Sequence, residues 1–114
     1  MKDDRVYLSH IRECIEAIES YTKEGQGRFL SDRKTQKATL RELQELSEST
    51  QRLSVTLKDR HPEIPWRDIG GFRNIVVHDY LGLNVFQIWS IIERDLPPLF
   101  TVIETMIREL EQNQ

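Results

Sequence analysis

Three side chains that can handle a phosphate fall within the eight positions 73–80 of the run GGFRNIVVHDY, residues 70–80. Arg73 is a permanent cation with a planar fork of donors. His78 titrates near neutral pH without help from its surroundings. Tyr80 offers a phenol, and Asn74 lies one turn before His78. The chemistry open to this set is cleavage of RNA without a metal. His78 takes the proton of a ribose 2′-hydroxyl, and the freed oxygen attacks the adjoining phosphate. Arg73 holds that phosphate and stabilises its added charge. A positioned general base supplies roughly 10²–10⁴ in rate. The neighbouring cation also favours neutral imidazole, the form a base needs. A plainer reading stands beside this one: a polar helix end, with Arg73 paired to Asp79 or Glu48 and His78 bonded to a backbone carbonyl. Composition and spacing leave both open.

Helical geometry constrains the first reading. At about 100° per residue, Asn74 and His78 share a face, and Tyr80 falls only ~20° from Arg73. Arg73 and His78 lie ~140° apart and do not readily meet on one phosphate within a straight helix. Either the helix ends near His78 or a second copy of the chain completes the site. A two-fold dimer would set two Arg–His pairs across one groove.

The elements that must hold this stretch follow from the apolar pattern. Leu8, Ile11, Ile15 and Ile18 recur at helical steps and predict a first helix over about 3–23. Gly25 and Gly27 end it in a turn. His10 reads as a surface or hydrogen-bonded structural residue, and His61, beside Pro62, as exposed. Ser31 or Asp32 can cap a second helix through its side-chain oxygen. Leu40, Leu43, Leu46, Leu53 and Leu57 carry that helix to about Arg60. Its middle, Glu45 to Thr50, is polar around much of its circumference, which suits solvent or another subunit. Trp66, Ile69, Phe72 and Val76 line a third helix after Pro65, with Gly70 and Gly71 allowing close approach by another backbone. Gly82 and Asn84 turn the chain. Val85, Ile88, Trp89, Ile92 and Leu96 begin a fourth stripe. Pro97 and Pro98 remove two backbone donors and force a kink or restart. Leu99, Val102, Ile103, Met106 and Leu110 resume the period. No segment alternates like a strand, so the expected fold is an all-α bundle.

Composition bounds the class. With 114 residues, the chain reads as one domain, 1–114, able to build a core unaided. A formal charge of −3 argues against a protein living on non-specific nucleic-acid binding. Cys14 is the only cysteine, which excludes an internal disulfide and reads as a small buried hydrophobe. No His, Cys or carboxylate cluster has metal-ligand spacing, and no cofactor motif is present. The charged start, Lys2 to Arg5, does not read as a secretory signal, and no apolar run nears the ~20 residues of a membrane span. The expected location is the reducing cytoplasm.

Three stretches in order, KTQKATLRELQELSEST, HPEIPWRDIGGFRNIVVHDYLGLN and IWSIIERDLPPL, resemble the HepT-like branch of the HEPN superfamily over nearly the whole chain. The resemblance implies a four- to five-helix up-down bundle that forms a homodimer. It implies that Arg73 and His78 line a cleft at the dimer interface, supported by Asn74 and Glu48. It further implies a ribonuclease toxin of a type VII toxin–antitoxin pair, with RNA as substrate. An MntA-like nucleotidyltransferase antitoxin would silence it by transferring AMP from ATP to Tyr80. Near Arg73 such a group adds a negative charge and bulk. The chain departs from the family where a Gly-Glu-Ala run is common: Glu48 is kept, but Ser47 stands in place of the glycine, so packing across a dimer axis is expected to differ. The alternative function is a non-catalytic subunit that docks the transferase, which the acidic net charge favours.

Overall fold

The computed structural model describes residues 3–72 and 84–112. The catalytic and modification candidates Arg73, Asn74, His78 and Tyr80, together with Val76 and Gly82, lie outside the described residues. Among the described residues every regular element is helical, as the apolar periods require, and the fold is an all-α bundle.

Helix α1 spans Asp4–Tyr21 and is capped by the Asp3 carboxylate on the Arg5 amide. Its stripe Leu8, Ile11, Ile15 and Ile18 is buried, and Cys14 beside it is buried as well. The chain turns at Gly25, whose φ of +92° suits a residue without a Cβ. A six-residue helix absent from the sequence reading, α2 (Gln26–Ser31), follows with Gly27 inside it. It buries Phe29, which packs its ring 5.4 Å from that of Trp89 at a tilt of 38°.

Helix α3, Arg33–Arg52, starts at Asp32, whose carboxylate accepts from the amides of Lys34 and Thr35. It runs antiparallel to α1, with Ser54 beside Asp4 and Ser49 beside His10. The expected helix to Arg60 is broken: Leu53 and Ser54 are extended, and α4 restarts at Val55–Asp59. Two interactions hold the break. Ser54 Oγ caps the new helix at the Leu57 amide. Asp4 also accepts bonds from both the Ser54 amide, 2.9 Å, and its hydroxyl, 2.8 Å. The kink lets Leu53 and Leu57 both stay in the core.

The polar middle of α3 is a second correction. Ser47, Ser49 and Thr50 are buried at 0%, 5% and 1% exposure, not turned to solvent. Each hydroxyl is satisfied: Ser47 on Gly70, Ser49 on His10, Thr50 on the Ser47 carbonyl. At these three positions small hydroxyl side chains let α3 lie close to its neighbours with each polar group partnered.

His61 is not exposed either; its side chain keeps only 13% of its surface. Its carbonyl and that of Lys58 both accept from Trp66 Nε1, at 3.0 and 3.1 Å, which fixes the turn before α5 (Trp66–Gly70). After the motif, Asn84 caps α6 (Val85–Ser90) at the Gln87 amide. A π-helical turn, Ile91–Asp95, then leads into α7, Leu96–Gln112. The prolines therefore act through a change of register. The Leu96 amide reaches back to the Ile91 carbonyl, five residues away. The widened turn makes room for rings that clash with the i−4 carbonyl in an α-helix. Helix α7 lies antiparallel on α1, where Arg12 and Glu104 approach to 3.9 Å.

Candidate functional site

The described residues on either side of the motif are packed and hydrogen-bonded. On the entry side, Ile69 and Phe72 are buried at 1% and 5% exposure. Two side chains of α3 converge on one carbonyl between them: Ser47 Oγ donates to Gly70 O at 2.8 Å, and Gln51 Nε2 donates to it at 3.1 Å. A Cβ on Gly70 would sit 3.2 Å from Gln51 Nε2 and 3.3 Å from Gln51 Cγ, so the glycine permits this approach. The close neighbour is thus a side chain rather than the backbone that the sequence reading expected. On the exit side, the Asn84 cap and the buried Ile88 fix the start of α6. Arg73 follows directly in sequence on the buried Phe72.

Ser47, where the resemblance leads to the expectation of a glycine, makes its bond locally. The hydroxyl is wholly buried and bonds within the same chain, to the turn that precedes Arg73. Glu48, the next residue, is half-buried and lines a surface cleft of about 730 Å³ between α1 and α3. Tyr7, His10, Glu13, Glu45 and Arg52 also line it. His10 Nδ1 lies 2.7 Å from Ser49 Oγ, and His10 Nε2 lies 3.7 Å from Glu45. The expectation of a hydrogen-bonded structural role for His10 accords with that bond.

Cys14 is inert by environment. Burial first, and then the carboxylates of Glu42, Glu45 and Glu13, push its thiol up to about 12. Among the described residues, no three His, Cys, Asp or Glu side chains converge to hold a metal ion. Among the same residues no helix is long and apolar enough to cross a membrane.

The model of one protein family, Ribonuclease HepT-like, matches residues 11–106, from the first turns of α1 to the middle of α7. The chain belongs to the Ribonuclease HepT-like family. Its relatives agree in kind. "Probable ribonuclease HepT" of Thermococcus cleftensis is 39% identical over 94 residues, covering 82% of this chain and 86% of that protein. A "Putative RNase" of Methanocaldococcus jannaschii is 32% identical over 111 residues, 96% of this chain and 92% of that protein. A "Gamma-glutamylcyclotransferase and putative RNase" of the same organism is 31% identical over 114 residues, 99% of this chain. The chain spans about half of that last relative, 51% of its length. No solved structure matches the chain.

What the HepT-like family adds to the geometry is the order of its parts. The matched span contains the α3 clasp, the docked end of α5 and the whole Arg73-x4-His78-x-Tyr80 run. The sequence reading found the motif and missed its clasp. The signal was present: Ser47 and Gln51 are four apart and share a face of α3.

Proposed function

We propose that this HepT-like protein is a metal-independent endoribonuclease toxin whose site is the Arg73–His78 pair. The family match over residues 11–106, with the motif intact inside it, is the observation that carries the reading. His78 accepts the proton of a ribose 2′-hydroxyl. The 2′-oxygen bonds to phosphorus, and the bond from phosphorus to the 5′-oxygen breaks. Water protonates the departing oxygen, leaving a 2′,3′-cyclic phosphate and a 5′-hydroxyl end. Arg73 neutralises charge on the phosphoryl oxygens. Asn74 and Glu48 support the pair, Asn74 by orienting the imidazole from one turn away.

The chain acts as a two-fold homodimer, because Arg73 and His78 diverge by ~140° on a straight helix and a second copy can close the gap. Control is covalent. The Tyr80 oxygen attacks the α-phosphorus of ATP on an MntA-like nucleotidyltransferase and pyrophosphate leaves. The resulting phosphodiester offsets the Arg73 charge and fills the groove.

The test is cleavage of single-stranded RNA in chelator by purified protein, beside an all-deoxy analogue. RNA is cut and the analogue survives, because only RNA carries the attacking hydroxyl. Undiminished cutting by His78→Ala removes the mechanism. A second reading, a binding subunit without catalysis, draws on the net charge of −3. Protein that never cuts RNA yet binds the transferase stoichiometrically selects it.

A further inference from the structure

The α1–α3 cleft carries chemistry that the reaction above leaves unused. Its volume of about 730 Å³ is enough for a nucleotide-sized guest. Its lining is mixed in sign. Arg52 is exposed at the C-terminal end of α3 and makes no ion pair among the described residues. On the walls stand the carboxylates of Glu13 and Glu45. Glu45 is placed rather than loose: Arg41 Nε lies 3.5 Å from one of its oxygens and His10 Nε2 lies 3.7 Å from the other. His10 is itself fixed through Ser49 at 2.7 Å. Tyr7 is half-buried and supplies an aromatic surface.

We propose that this cleft is a subsite for one unpaired guanine nucleotide of the RNA: Arg52 holds its phosphate, Tyr7 stacks on its base, and Glu45 accepts hydrogen bonds from its edge. The choice of occupant follows from the mixed charge. A basic peptide would meet Arg5 and Arg52, and an acidic one would meet Glu13 and Glu45. A nucleotide brings both an anion and a set of N–H donors. Among the bases, guanine alone presents two adjacent donors, N1–H and the 2-amino group, that match both oxygens of one carboxylate. Unstacked bases of single-stranded RNA are read in this way, by aromatic stacking and along the Watson–Crick edge. The cleft also adjoins the motif's anchor. Glu48 lines it, and the preceding residue, Ser47, holds the Gly70 carbonyl three positions before Arg73.

This subsite rests on the nuclease reading for its biological sense, but binding tests it apart from cleavage. The probe is a short fluorescent single-stranded RNA, 2′-O-methylated throughout so that it cannot be cut, with a single guanine or with adenine in its place. Fluorescence anisotropy with intact wild-type protein gives the guanine oligomer the tighter binding by roughly tenfold, the scale of one bidentate base contact. Glu45→Gln abolishes the preference. Arg52→Gln weakens both oligomers alike and lowers the slope of log affinity against log salt by about 0.7, as expected for one phosphate on a single strand. Equal binding of the two oligomers, or variants that bind as wild type, overturns the subsite even if the protein cuts RNA. A change of oligomeric mass in Arg52→Gln also overturns it, because the cleft would then be covered by a second copy. Guanine-selective binding by protein that cuts nothing keeps the subsite and removes the nuclease.

Discussion

Ser47 Oγ lies 2.8 Å from the carbonyl oxygen of Gly70, a bond from the buried middle of α3 to the end of α5. A residue that reads as a polar position on a solvated helix instead ties α3 to the turn three residues ahead of Arg73 in the sequence. Gln51, one turn further along α3, bonds the same oxygen at 3.1 Å.

Ser47→Ala removes one of these two donors from a fully buried site. The expected loss is about 1–3 kcal/mol of unfolding free energy, the range for a buried group left short of a partner. Urea denaturation measures it. A loss of RNA-cleaving activity larger than the unfolded fraction explains would place the clasp in the function as well as the fold.

Asp4 and Ser54 join the start of α1 to the break between α3 and α4 through bonds of 2.9 and 2.8 Å. Asp4→Ala should cost about 1–2 kcal/mol, since both bonds end on a charged acceptor and one secures the Ser54 amide at the α4 cap. Thermal unfolding followed by circular dichroism reads the shift. A midpoint equal to wild type would mean that α4 holds its place without the clasp.

The Asp32 carboxyl is held below its usual range, first by the Thr35 hydroxyl, which donates to it at 2.8 Å. A depressed folded value gives stability that is present above the ordinary carboxylate range and lost as pH falls through the folded value. Wild type should therefore exceed Asp32→Ala in denaturant midpoint at pH 7. The gap should narrow on acidification below about pH 4, where the unfolded carboxylate begins to protonate. A gap independent of pH would assign the effect to helix geometry alone.

Cys14, buried at 1% exposure with its thiol pushed up to about 12, should resist iodoacetamide in the native protein at pH 8 and react once the chain is unfolded in guanidinium. Mass spectrometry distinguishes the two states. Rapid native labelling would show that α1 opens locally.

His78→Ala should lower RNA cleavage by roughly 10²–10⁴, the contribution of a general base. Folding should be retained, as checked by the circular dichroism spectrum. Arg73→Lys keeps the charge but loses the planar fork, so a fall in rate there would separate bidentate grip from simple attraction.

The sequence by itself determined the stripes. Leu8 to Ile18 on α1, Leu40 to Leu57 across α3 and α4, and Leu99 to Met106 on α7 are buried as their spacing requires. It determined the cap at Asp32 and the family, because hydrophobic period, capping chemistry and motif order are local properties of a chain. Tertiary structure decided what local rules cannot weigh. Ser47 and Ser49 became interior because neighbouring elements supplied their partners, and the Thr50 hydroxyl bonds back to the Ser47 carbonyl of its own helix. The helix predicted to reach Arg60 parted at Ser54 because an aspartate fifty residues earlier offered two bonds there. His61 keeps only 13% of its side-chain surface, in a turn whose carbonyl accepts a bond from Trp66. For Ser47, Ser49 and Ser54 the deciding contact joins residues distant in sequence, and a polar side chain carries no mark of whether its partner will be water or another helix.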